Sequence, residues 1–143
     1  MKRQRPPRYA NGTPLTKAER KALAQVSYDN LQHWINQTFI RAVRLKADEI
    51  HYERGRDGLT VQLRKGAEVL EAMGPCQRYQ DRAIPRLKLM SQMNLSEERS
   101  PQTGKFGALV DDREWNTRVV YTGTKSGERI VVRFTGSKPY IRQ

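Results

Sequence analysis

The chain is poor in the residues that usually build covalent or metal-centred sites. It has a single cysteine, Cys76, which excludes a disulfide within the chain and is typical of a reducing compartment. Its two histidines, His33 and His51, lie 18 positions apart and form no recognisable metal-binding pattern. The sequence has no apolar run of the roughly 18 residues that a membrane span needs, and its start lacks the apolar stretch of a secretory signal. These features predict a cytoplasmic protein without a metal, which could lie against a membrane complex.

Motifs for catalysis are also missing. The sequence does not contain G-x-x-x-x-G-K-[ST], the loop whose backbone amides and lysine hold nucleotide phosphates. GTKSGE at residues 123–128 has lysine, serine and glycine, but it is typical of a short hairpin turn and not of a loop that opens a helix. Paired carboxylates, an activated nucleophile and a zinc pattern are absent too. The sequence therefore predicts a chain that has no enzymatic activity of its own and needs no cofactor.

The chain is rich in positive charge. Lys and Arg total 27 against 15 Asp and Glu, a net charge of +12 over 143 residues, and residues 1–24 carry about half of this excess. Such an excess suits a polyanion: nucleic acid, an anionic membrane surface or an acidic protein. We expect residues 1–15 to form a flexible basic arm and residues 16–143 to form a single domain. The candidate contacts of this arm with nucleic acid or an acidic partner are Lys2, Arg3, Arg5 and Arg8.

Hydrophobic periodicity in the first half of the chain predicts a long helix followed by strands. TKAE at residues 16–19 has capping-box spacing, and the apolar stripe after it predicts a helix to about Lys46. The period then changes to two, which predicts strands at 49–54, 59–65 and 67–72, with turns at GRDG and at a glycine.

The second half predicts one more helix and a run of strands. Residues 74–93 have helical spacing, and Pro85 predicts that the helix begins there or that two helical pieces meet there. KFGALV, EWNTRVVYTGT and ERIVVRFTG then predict antiparallel strands joined by two short connections. We therefore predict one α/β (α+β) domain in which helices pack on one face of a mainly antiparallel sheet.

Three segments carry a resemblance to known motifs. AVRLKADEIHYE (42–53) is similar to A-I-x-x-x-A-S-D-I-H-I-E, and RLKLMSQMNLSEERSPQTGKF (86–106) to R-I-K-x-M-x-x-L/M-D-I-A-E-R-R-x-P-Q-D-G-R. TRVVYTGTKSGERIVVRF (117–134) is similar to V-R-V-S-x-x-P-T-x-x-G-E-x-V-V-x-R. In this order they resemble the second N-terminal domain of the type II secretion and type IV pilus assembly ATPases. The resemblance covers about residues 35–134 and implies a PAS-like module of the kind that precedes a RecA-like motor domain.

The sequence also departs from the family's pattern. Glu49 and Thr103 stand where the family has Asp, and Gly123 stands where it has Pro. The chain ends at Gln143, where the family's motor domain would start.

The resemblance implies two sets of candidate site residues. In the family, arginines at the places of Arg118 and Arg133 help to contact nucleotide held by the motor domain or an adjacent subunit. The alternative is that each arginine faces solvent or is paired locally. The turn EERSPQTG, which Pro101 and a positive φ at Gly104 would shape, is a candidate docking loop for a partner. Its contact residues would be Glu98, Arg99 and Gln102.

Four further residues are candidates for a site or for packing. His51 lies on a predicted strand without a second catalytic group at a useful spacing, so we expect a structural histidine. Trp34 and Phe39 have the spacing of the helical core stripe, which predicts packing. Trp115 begins a predicted strand among polar residues, and both an exposed interface position and a packing role fit it.

The resemblance favours an interaction or regulatory module of a type II or IV secretion, pilus or conjugation-type machine. Such a module would dock on an ATPase or an assembly component, or self-associate, in the cytoplasm or at the periphery of an inner-membrane complex. A related interpretation is an excised N-terminal fragment of a full secretion ATPase. The alternatives are a basic module that binds DNA or RNA on the same scaffold and a PAS-like sensor of a small ligand.

Overall fold

A computed structural model describes residues 28–141 of the chain, with side chains from residue 30 onward. The predicted arm at 1–15, the boundary of the domain at residue 16 and the capping box at 16–19 lie outside the described residues. The elements in chain order are α1 (Tyr28–Arg44), β1 (Glu49–Gly55), β2 (Gly58–Lys65), β3 (Glu68–Cys76), α2 (Ala83–Met90), β4 (Gln102–Gly104), β5 (Gly107–Val110), β6 (Arg113–Thr124) and β7 (Gly127–Pro139).

The strands of this region form one antiparallel sheet. Its order is β3-β2-β1-β7-β6-β4, and β5 also pairs with β6 on the β4 side. β1 pairs with β2 on one side and with β7 on the other, so the last strand of the chain lies between β1 and β6. The predicted antiparallel connections are confirmed, and β7 brings residues from the two halves of the chain into register.

Both helices pack on the same face of the sheet. The hydroxyls of Thr38 on α1 and Tyr52 on β1 are hydrogen-bonded, and the Nζ of Lys88 on α2 lies 3.7 Å from the centroid of the Tyr121 ring on β6. The strands alternate, so one face of the sheet carries the buried side chains Ile50, Tyr52, Leu59, Val61, Leu63, Val119, Tyr121, Ile130 and Val132. The helices cover it with Leu31, Ile35, Phe39, Ala42, Ala83, Ile84 and Leu87. The predicted α+β class, with helices on one face, is confirmed.

The last turn of α1 is tied to both sides of the sheet. Arg41 forms a bidentate pair with Glu71 on β3, with Nη2 and Oε1 2.8 Å apart. Arg44 forms a second one with Asp111 in the β5–β6 turn, with Nη2 and Oδ1 2.9 Å apart. Hydrogen bonds and the charge of the arginine lower the pKa of each of these two carboxyls. Because β3 and β5 lie toward opposite edges of the sheet, the two pairs tie α1 to both edges.

The second helix differs from the sequence prediction. α2 begins at Ala83, two residues before Pro85, and ends at Met90. It is therefore much shorter than the segment 74–93 that has helical spacing. Pro85 fits because backbone amides in the first helical turn have no intrahelical acceptor. Leu89 is 59% exposed, because the register of α2 turns Leu87 and Ile84 to the core.

Two predicted hairpin turns are confirmed. The chain reverses between β1 and β2 through the two residues 56–57, and Gly58 begins β2 with a φ of 121°, a left-handed value that favours glycine. Residues 125–126 join β6 to β7 in the same way. GTKSGE is therefore a hairpin turn and not a loop before a helix.

Candidate functional site

The face of the sheet that the helices leave open is polar. Its side chains come from alternate positions of β1, β2, β6 and β7, and each of them is exposed or half-buried. We call this surface, within residues 28–141, the open face. Hydrophobic side chains there are limited to half-buried residues such as Val120 and Val131, so the open face differs from the buried face in both charge and solvation.

A row of charged residues crosses the open face at right angles to the strands. Glu49 on β1 is opposite Arg64 on β2 and Arg133 on β7, and Arg133 is opposite Arg118 on β6. β4 and β5 pair with β6 in the same register, which places Lys105, between them, opposite Arg118. Lys105 therefore continues the row. Adjacent strands lie about 4.8 Å apart, so these side chains are neighbours. The row has four cations and one carboxylate.

The carboxylate of Glu49 is shared by two partners. Its Oε1 lies 2.9 Å from the Nε2 of His51, and its Oε2 accepts a hydrogen bond of 3.0 Å from the Nε of Arg133. Burial alone would raise the pKa of Glu49, but the hydrogen bonds from His51 and Arg133, with their charges, outweigh it and lower this pKa. Glu49 is therefore ionised and held in place.

The lowered pKa of Glu49 predicts a pH dependence of stability. Its contribution is complete above the pKa of an unfolded glutamate, about 4.3, and is lost as the pH falls through the lower folded value. We expect Glu49→Gln to destabilise the chain at pH 7 and to leave the free energy of unfolding unchanged near pH 2. Urea denaturation across this pH range measures the difference, and an equal loss at both pH values would contradict the assignment.

Arg118 and Arg133 are both exposed but differ in their pairing. The Arg133 side chain is 62% exposed and bonded to Glu49, whereas Arg118 has no hydrogen bond or ion pair with any residue of the described part of the chain. Two guanidinium groups on directly opposed positions repel each other, and an anion between them removes this repulsion. A guanidinium fork also matches phosphate oxygens bidentately. The pair can therefore bind an anionic group.

The predicted docking loop is held from beneath by a buried cation. Lys88, which is 2% exposed, donates a hydrogen bond of 2.8 Å from Nζ to the carbonyl oxygen of Glu97. The Glu97 carboxylate accepts hydrogen bonds from the backbone amides of Ser100 and Arg99, which lower its pKa. Gly123 allows close approach, since a Cβ there would lie 2.8 Å from the carbonyl oxygen of Glu98. The loop is thus fixed on the end of β6.

The three loop residues named from the sequence have different positions. Glu98 and Arg99 are exposed. Gln102 is half-buried, and its amide accepts from the backbone of Asn94 and donates to the carbonyls of Asn94 and Glu97. Gln102 therefore shapes the loop from inside. Gly104 does not have the positive φ that we expected; it is required because a Cβ there would lie 2.3 Å from the carbonyl oxygen of Ser91.

The aromatic candidates are packed. Trp34 lies against Tyr79 with ring centroids 5.2 Å apart, and Phe39 lies against another phenylalanine at 5.4 Å. Trp115 is half-buried against Phe134, and its Nε1 is buried without a hydrogen-bond partner in residues 28–141. The burial of its Nε1 and its contact with Phe134 favour the packing role of Trp115 over an exposed interface position.

The described residues offer neither a metal site nor a membrane span. Between residues 28 and 141, no three His, Cys, Asp or Glu side chains lie together in a way that could hold a metal ion. Neither described helix is long and apolar enough to cross a membrane.

Comparison with known proteins decides the family. The type II/IV secretion system protein family matches residues 24–140. The chain belongs to this family. Among its relatives are type II secretion system protein E of Xanthomonas campestris, 32% identical, and the protein of the same name from Pseudomonas aeruginosa, 31% identical, each over 99 residues or 69% of the chain. Type II secretion system ATPase E of Vibrio cholerae is 27% identical over the same length.

This member of the type II/IV secretion system protein family spans only a small part of those relatives. The matched residues are 18% of the Xanthomonas protein and 20% of the other two, and they lie in its relatives' N-terminal portion. The expected relationship to the N-terminal region of a secretion ATPase is thereby confirmed. The row on the open face lies within the residues that match the family.

Sequence reasoning missed Lys105 and the partners of Glu49. Lys105 could have been found, because PQTGK aligns its basic side chain with the last arginine of P-Q-D-G-R. The contact of Glu49 with Arg133 joins residues 84 positions apart, and only the pairing of β1 with β7 reveals it.

Proposed function

We propose that the chain is a non-catalytic interaction module of a type II or IV secretion, pilus or conjugation-type machine, which docks on an ATPase or assembly component. The observation that carries the proposal is the charged row on the open face of a domain in this family. A sheet face that residues 28–141 leave uncovered, with a line of cations across it, suits an anionic partner surface. Under this proposal the chain works in the cytoplasm, at the periphery of an inner-membrane complex.

Arg118 and Arg133 would make the central contacts. Both guanidinium groups are exposed, and they extend from neighbouring strands toward the same region of solvent. We propose that they bind the phosphates of a nucleotide held by the partner, or carboxylates at the interface between subunits. Lys105 would extend this contact toward β4.

Two other surfaces would complete the docking. The fixed loop presents Glu98 and Arg99 near the outer end of β6, and Gln102 supports its shape. The basic residues of the predicted arm, Lys2, Arg3, Arg5 and Arg8, would add attraction for an acidic partner or nucleic acid. A rigid loop favours specific docking because binding then costs less conformational entropy.

Recovery of partners from the chain's own cells tests the proposal. A tagged chain, cross-linked and purified, is expected to recover a secretion-type ATPase or another protein of the same assembly. The double variant R118A/R133A is expected to lower this recovery about tenfold, since each substitution removes a charge-assisted hydrogen bond to the partner. Arg129→Ala is the matched control, because Arg129 is also an exposed arginine of the open face and lies on β7, as Arg133 does.

Two results would contradict the proposal. One is the recovery of no secretion-type protein by the unaltered chain, and the other is equal recovery by the double variant. Recovery of nucleic acid alone, lost at high salt, would favour the DNA- or RNA-binding alternative instead.

A further inference from the structure

We infer that Glu49 is an internal counter-ion of the Arg118–Arg133 site, and that protonation of His51 releases Arg133 to bind phosphate groups. The inference rests on the proposed phosphate contact and adds its regulation. It makes the affinity of the site for a polyphosphate increase as the pH falls.

The geometry places one carboxylate between a permanent cation and a titratable one. Glu49 and His51 are two positions apart on β1, so both point to the open face, and Arg133 is directly opposite Glu49 on β7. Both carboxylate oxygens are occupied, one by each partner. The side chains of Glu49 and His51 are 18% and 17% exposed, so water screens their contact less than it screens a surface pair.

The other charged groups around His51 already have hydrogen-bond partners. On the open face, the strands beside His51 carry Arg64 on β2, Glu53 on β1 itself, and Arg129 on β7. Arg129 is bonded to Glu53 at 2.7 Å, and Arg64 is bonded to the side chain of Gln62. Glu49 is therefore the carboxylate that responds directly to the charge of His51.

The charge of His51 determines what remains available to an anion. While the imidazole is neutral, Glu49 offsets the charge of Arg133 and competes with any phosphate that approaches it. Once the imidazole is protonated, it neutralises Glu49, and the cluster of His51, Glu49, Arg133 and Arg118 gains one positive charge. Imidazole groups change charge between pH 5 and 8, which is the range of interest in a cell.

The test measures binding of tripolyphosphate to the full chain at low salt, at pH 7.5 and pH 5.5, by titration calorimetry. Because tripolyphosphate itself gains protons over this range, the quantity compared is the affinity of the unaltered chain divided by that of His51→Gln at each pH. We expect this ratio to rise about two- to fivefold on acidification, the size of a partly exposed ion-pair effect. His33→Gln is the control. It changes the other histidine, which lies on α1 and not on the open face, and it should follow the unaltered chain.

A second variant removes the counter-ion directly. Glu49→Gln is expected to bind tripolyphosphate more tightly than the unaltered chain at pH 7.5, also by about two- to fivefold. The inference is overturned if His51→Gln keeps the full pH dependence, or if Glu49→Gln binds no better. Those outcomes leave the proposed phosphate contact intact, whereas no binding by the unaltered chain at either pH removes both.

Discussion

Leu87→Ala is expected to lower the free energy of unfolding by about 3–5 kcal/mol, which is the range for removing a fully buried leucine. Leu87 has no exposed surface and lies where α2 meets the sheet. The substitution removes buried apolar surface and leaves a cavity that the surrounding side chains fill only partly. Urea denaturation of the purified chain measures the loss.

Leu89→Ala is the matched control for that substitution. Leu89 is the same residue type on the same helix, two positions along, but it is 59% exposed. Its replacement should change the free energy of unfolding by no more than about 0.5 kcal/mol. Equal losses for the two variants would mean that α2 does not have the register described here.

Gly127→Ala is expected to destabilise the chain by about 3 kcal/mol, the upper part of the range for overpacking. A Cβ on Gly127 would lie 1.7 Å from the carbonyl oxygen of Arg54, so the β6–β7 turn or the end of β1 would have to move. The midpoint and slope of a urea unfolding curve, compared with those of the unaltered chain, give the loss.

Gly136→Ala provides the comparison for this turn. A Cβ at Gly136 would meet nothing within 4 Å, although the residue lies on the same strand, β7. Its substitution should cost no more than about 0.5 kcal/mol. If Gly127→Ala is tolerated as well, β7 does not approach β1 as closely as described.

Local rules were sufficient for most of the elements. The strands β1, β2, β6 and β7 follow from alternation, and the two-residue turns at 56–57 and 125–126 follow from their glycines, because both signals depend on neighbours in sequence. The bounds predicted for α2 were wrong because local spacing does not show where a helix stops packing on the sheet. Its apolar spacing continues beyond the turn that ends it, and contact with the sheet selects which leucine is buried.

The candidate site was predictable in part. Arg118 and Arg133 could be named because they lie in a motif that resembles the family's strand pair. Lys88 could not, since a lysine on a helix usually faces solvent, and here its amine instead contacts a loop carbonyl and the Tyr121 ring. The role of Gly104 depends on how closely Ser91 approaches it, which a turn preference does not describe.

The succession of strands along the chain, the family and the absence of a phosphate-binding loop are properties of the sequence alone, because periodicity, turn chemistry and motif spacing are encoded locally. The arrangement of charge on the open face is a property of the tertiary structure. Glu49, Arg133 and Arg118 meet only because β7 inserts between β1 and β6, and cross-strand register sets which side chains are opposed. Pairing over long distances in the chain is a cooperative outcome of packing, so no short segment specifies it.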